Sequence, residues 1–255
     1  MFDLFGPRRR AKLRAAGLSD EQRAGIDRAV PLVEKLPPAD RAELEGHVAV
    51  LLAEKHWEAA GGLVLTDAIR VTIAAQAALL LLRREVDEPY PELDTILVYP
   101  RGWRRETRAA EGGLVTEGEA HHLGESWKRG LVIVAWDAAK RGAADPDDGQ
   151  NVVLHEFAHQ LDTERGAADG APALPERGMY GPWATVLGRE FADLAADLQR
   201  GRSTTIDAYG ATNPAEFFAV VTEAFFERPR RLRADHPELY AQLAAFYRQD
   251  PAGWD

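Results

Sequence analysis

The sequence predicts an α+β fold, with a helical N-terminal part, a small twisted sheet and a set of C-terminal helices. Three observations predict it. Residues 19–85 carry helical periodicity and helix-capping signals. Short runs rich in β-branched residues follow. Behind them, V-L-H-E-F-A-H-Q-L reads as a helix with two histidines on one face.

Ser19 with Gln22 makes a capping box for a first helix running toward Leu36, and Pro37-Pro38 breaks it. A second amphipathic helix is expected from about Ala39 to Trp57, before the turn at Gly61-Gly62. Thr66 and Asp67 cap a third, apolar helix ending near Arg84. Its stretch Val71–Leu82 is far shorter than the roughly 20 residues that span a bilayer.

Composition changes near residue 90, which divides the chain into 1–90 and 91–255. Strands are expected at Thr95–Tyr99, Glu111–Thr116 and Gly130–Trp136. The loop Asp145–Gly149 resembles a calcium loop, but its glycine falls one position early. The histidine helix starts near Asn151 and stops before Gly166. Gly166–Gly181 reads as a long surface loop, followed by a helix from Pro182 to about Leu198. Asn213-Pro214 opens another helix, with Asn as N-cap and Pro at its first position. It ends before Pro229, and a last helix covers Pro237–Gln249.

The 255 residues carry a formal net charge of −10, which argues against a general nucleic-acid or anionic-membrane binder. With no cysteine, disulfides and thiolate metal sites are excluded, and a cytoplasmic location is expected. The basic run Arg8–Arg14 is followed by no signal-peptide apolar core and reads as a mobile, solvated terminus.

The chemistry lies in His155-Glu156-x-x-His159. Residues four apart on a helix have Cβ atoms roughly 5–6 Å apart, so two imidazoles can share one Zn²⁺. Glu156 sits about 100° around the helix, where it misses the metal but reaches a water on it. Zinc lowers the pKa of such a water to about 7, and Glu156 can act as general base. The alternative is a helix that happens to hold these residues, but Val152, Val153 and Leu154 place it against the interior. Buried imidazoles need partners.

A third ligand must come from elsewhere, because Asp162 and Arg165 occupy the glycine and histidine positions of the extended H-E-x-x-H-x-x-G-x-x-H pattern. Glu216, Glu223 and His236 are candidates. Glu216 and Glu223 are seven apart on one face of an otherwise apolar helix. Glu216 also stands where a glutamate closes a capping box with Asn213, and the residues alone leave both roles open. Asp162 can orient a ligand histidine or pair with a backbone group at the helix end, and Glu223 is a supporting carboxylate by position. His47, His56, His121, His122 and His236 have no metal-binding spacing and read as structural.

T-I-D-A-Y-G-A-T-N-P-A-E-F-F-A (Thr205–Ala219), with H-E-F-A-H-Q-L-D, resembles the Mlc titration factor A family of bacterial zinc peptidases. That family is similar in its catalytic region to anthrax lethal factor. The resemblance implies a zincin-like catalytic domain over 91–255, behind a helical region over 1–90. It implies one zinc ion per chain held by His155, His159 and Glu216, with Tyr209 lining the active site and Asp162 matching the family aspartate. A phenol there can donate to the oxyanion of a tetrahedral intermediate.

Three functions follow. The first is a zinc metallopeptidase acting on a peptide or protein substrate, with aminopeptidase action one form of it. The second is a protein that binds an Mlc-like repressor, as the resemblance implies, in combination with peptidase action or with a mainly structural zinc site. The third is a structural zinc site alone. Neither direct nucleic-acid binding nor a membrane span is expected.

Overall fold

The structure is a computed structural model describing residues 6–102, 130–164, 166 and 168–254. Helix α1 (Gly6–Ala16) corrects the reading of a mobile basic terminus. Buried Arg10 donates to Asp87 Oδ2 at 2.9 and 3.1 Å and to Glu54 Oε2 at 3.3 Å, with Glu88 Oε2 also at 3.3 Å. Arg14 donates to the carbonyls of Val86 and Asp87. These partners lie far along the chain, so no local signal announces them.

Helix α2 (Asp20–Ala29) starts at the expected capping box of Ser19 and Gln22. It stops earlier than expected, because Pro31 has no N–H to continue the ladder and opens a 3-10 turn over Pro31–Lys35. Helix α3 (Pro38–Glu54) also ends early, since the chain turns extended at Lys55. The buried Lys55 ammonium donates to the carbonyls of Tyr90 at 2.7 Å and Leu93 at 2.8 Å. That anchors β1 (His56–Ala59), so Trp57 lies on a strand rather than a helix.

β1 pairs in parallel with β2 (Thr95–Tyr99), and β2 with β3 (Leu131–Ala135). The register sets His56 against Thr95 and Thr95 against Leu131. Parallel neighbours need a crossover. Helix α4 (Asp67–Leu79) lies between β1 and β2, capped by Thr66 as expected. A strand therefore interrupts the helical reading of 19–85. The strand expected at Glu111–Thr116, and His121 and His122, lie outside the described residues.

Helix α5 (Trp136–Ala144) follows β3 directly, and α6 (Val152–Thr163) packs against β3 on one side and α8 (Pro214–Glu227) on the other. Helices α7 (Tyr180–Gln199), α9 (Pro229–Asp235) and α10 (Pro237–Tyr247) surround α8. The apolar face of α8 carries much of the core. Phe225 stacks on Tyr247 with centroids 5.5 Å apart, and Phe218 meets Trp183 and Phe246 edge-on, each at 5.8 Å. Such pairs each add about 0.5–1.5 kcal/mol beyond their buried area. No helix among the described residues is long and apolar enough to cross a membrane.

Candidate metal centre

Asn151 starts α6. Its side-chain oxygen accepts from the N–H groups of Val153 at 3.1 Å and Leu154 at 3.0 Å. This cap fixes the first turn, and with it the direction in which His155 and His159 point. Both imidazoles are buried. Their Nε2 atoms lie 3.1 Å apart.

Helix α8 brings the third group. Asn213 caps it by accepting from the Glu216 N–H at 3.0 Å. The Glu216 side chain turns the other way, and its Oε2 lies 3.0 Å from His155 Nε2 and 3.4 Å from His159 Nε2. Of the two roles open to Glu216, its backbone takes part in the cap while its carboxylate faces the histidines. Donor atoms about 2.0–2.1 Å from a tetrahedral zinc are separated by about 3.3–3.4 Å. The three observed separations are close to that, so this donor set fits such an ion. Among the described residues, His155, His159 and Glu216 form the one cluster of three or more donors that could hold a metal.

The sequence comparisons bear on this cluster. Residues 5–248 match the profile of the family described as glucose-regulated metallo-peptidase M90. The chain belongs to that family. An uncharacterised protein of Synechocystis is 42% identical over 224 residues, covering 87% of this chain and 81% of the relative. Mlc titration factor A of Serratia proteamaculans is 33% identical over 229 residues, covering 88% and 85%. Its namesake in Klebsiella pneumoniae is 33% identical over 228 residues, covering 88% and 84%.

In this M90 chain Glu223 supports the cluster from behind. Its Oε1 accepts from His155 Nδ1 at 2.8 Å, and its Oε2 accepts from the Asn151 N–H. With a cation bound at Nε2, that first contact would hold the proton on Nδ1 and leave Nε2 for the ion. His236 is elsewhere, with Nδ1 2.7 Å from Glu190 Oε2. Asp162 takes the second of its two expected roles, accepting from the Gly170 N–H at 2.8 Å.

Electrostatics sort these groups. Burial disfavours charge on His155, but hydrogen bonds to Glu216 and Glu223 prevail and raise its pKa to about 10. Burial and the charge of His155 lower His159 to about 4. The two carboxylates thus favour the charged form of His155 over that of His159. Burial works against the Glu216 anion, yet hydrogen bonds from both imidazoles hold it at about 2. Burial lifts Glu156 to about 7, aided by the nearby Glu216 and Glu223 charges. Tyr209, in a 3-10 turn over Ala208–Ala211, has its ring centroid 6.0 Å from that of His155. Burial and the charges of Glu216 and Glu156 push its phenol up to about 12, so it remains a donor near neutral pH.

Sequence reading missed Glu227. It is one turn beyond Glu223, and its Oε1 accepts from Asn151 Nδ2 at 2.9 Å. An acidic residue on so apolar a helix was the available signal. Burial raises its pKa from 4.5 to about 9. The folded state thus holds a proton that the unfolded chain releases above pH 4.5. This contribution to stability is full below pH 4.5 and is lost as pH rises toward about 9. Glu227→Gln keeps the bond to Asn151 and cannot ionise. It is expected to be more stable than the native protein by roughly 3 kcal/mol at pH 7, with the difference vanishing near pH 4. Thermal unfolding across pH checks this, and parallel curves for the two proteins would refute it.

Proposed function

We propose that this chain is a zinc-dependent peptidase with a zincin-like catalytic domain. His155, His159 and Glu216 would hold the ion. The observation that carries this reading is the buried convergence of two Nε2 atoms and one carboxylate oxygen, with Glu156 beside them. Zinc bound there supplies a Lewis acid that polarises a carbonyl and lowers the pKa of water to about 7.

The chain's own residues do the rest. Glu156 takes the proton of the attacking water at its carboxylate and passes it to the leaving amine. Burial weakens its preference for the charged form, which suits a group that must accept and then donate. The Tyr209 phenol donates to the carbonyl oxygen as negative charge grows there. Glu223 keeps His155 in the tautomer that leaves Nε2 free for the ion.

Purified protein is expected to carry one zinc per chain, and Glu216→Ala is expected to lose it. Elemental analysis of both proteins, with hydrolysis of a chromogenic peptide before and after chelation, tests the reading. Full metal content in Glu216→Ala would overturn the ligand set.

A second role has its own support. Relatives 33% identical over most of their length are called Mlc titration factor A. We propose that this chain also binds a repressor of that type, in the cytoplasm. Co-purification with an Mlc-like repressor tests it, and Glu156→Gln should retain such binding while losing hydrolysis.

A further inference from the structure

Gly170 lies outside every motif, in the loop between α6 and α7, yet three helices meet on its backbone. Its N–H donates to Asp162 Oδ2, near the end of α6, at 2.8 Å. Its carbonyl accepts from Trp183 Nε1, on α7, at 2.9 Å. Its Cα faces the first residue of α8. A Cβ there would lie 2.4 Å from the Pro214 carbonyl oxygen and 2.9 Å from its carbon. Its φ of +77° is in the left-handed region that favours glycine. Asp162 is fully buried and Trp183 nearly so, so both anchors sit in rigid core.

Pro214 is two residues before Glu216. Whatever sets the distance from Pro214 to α6 also sets the distance from the Glu216 carboxylate to the imidazoles. We infer that Gly170 is a positioning residue: it spaces α8 from α6 and so fixes Glu216 relative to His155 and His159. A side chain at 170 cannot be accommodated by shifting the loop alone, because Asp162 and Trp183 hold that loop on both sides. The first turn of α8 must yield by at least 0.6 Å to restore even a 3.0 Å contact. Metal sites tolerate about 0.2 Å in ligand distance.

The inference rests on the proposed metal site for its effect on affinity, whereas its geometric claim stands apart from it. The test is Gly170→Ala, with Gly201→Ala as the control. Gly201 has φ +67° and nothing within 4 Å of an added Cβ, so it carries backbone strain without a clash. Zinc affinity is measured by competition with a chromogenic chelator, and metal-free crystals of each variant are solved. Gly170→Ala should bind zinc about 10–100-fold more weakly, the usual loss when a ligand's support is disturbed. Its Glu216 Oε2 should leave the 3.0 and 3.4 Å positions. Gly201→Ala should match the native protein in both respects.

A metal-free Gly170→Ala structure with Glu216 unmoved overturns the inference. A native protein that binds no metal would defeat the metal site instead, and the crystal comparison would still decide the role of Gly170. If Gly170→Ala fails to fold, Asp162→Ala and Asp162→Asn take its place. Asparagine keeps an acceptor oxygen for the Gly170 N–H and should rescue the Glu216 position and the zinc affinity that alanine loses. Equal behaviour of the two would overturn the inference.

Discussion

Replacing Glu156 by glutamine is expected to leave zinc bound and to cut peptide turnover by at least about 10²-fold, the low end for loss of a general base. Glutamine fills the same volume at this buried position. It removes only the ability to carry a proton back and forth. The donor atoms of His155, His159 and Glu216 are left in place, so metal content should stay at one per chain. Some rate should survive, because polarisation of the carbonyl and the Tyr209 donor do not depend on Glu156. Near-native turnover with zinc present would remove Glu156 from the reaction. A native protein that holds zinc and hydrolyses no peptide would favour a structural ion beside a partner-binding role.

Tyr209→Phe is expected to lower kcat by up to about 10²–10³-fold, the range for losing one oxyanion donor. KM should change little, because the phenol meets charge that develops only in the transition state. In the structure the Tyr209 phenol is hydrogen-bonded to Glu216. During reaction it would exchange that acceptor for the carbonyl oxygen, and this exchange costs part of the gain, so the lower end of the range is expected. The same substitution removes one hydrogen bond from the folded state, about 0.5–1.5 kcal/mol. A tyrosine that only packs would show the fall in Tm with unchanged kcat. Steady-state kinetics and thermal unfolding of the one variant separate the two cases.

Local chemistry made part of this molecule legible. Asn213-Pro214 marked the start of α8, Ser19 with Gln22 that of α2, and Thr95–Tyr99 is the strand its β-branched residues indicated. The i, i+4 histidines face one another because any regular helix puts them there. What stayed hidden depends on distant partners. Strand β1 is only four residues long, half polar, and adjoins a helix. Helix α5 contains Gly142, a poor helix former. That glycine is required because a Cβ would lie 2.9 Å from Asn151 Cα. Helix α1 looked unattached because Glu54, Asp87 and Glu88 are invisible from Arg10 along the chain. Glu216 was ambiguous for a related reason. The cap is a local interaction, while the direction of its carboxylate is decided by another helix.

The placing of His155 between two carboxylates has a consequence for how a cation would bind here. The Glu216 and Glu223 carboxylates flank His155 on both ring nitrogens and favour a hydrogen ion there. Many small zinc domains collapse when stripped, since the ion supplies their folding energy. Here aromatic pairs pack around α8, the helix that brings Glu216. A cation arriving at Nε2 would have to displace a proton. Zinc and acid would then compete for the same seat, and the grip on the metal would slacken as the surroundings turn acid.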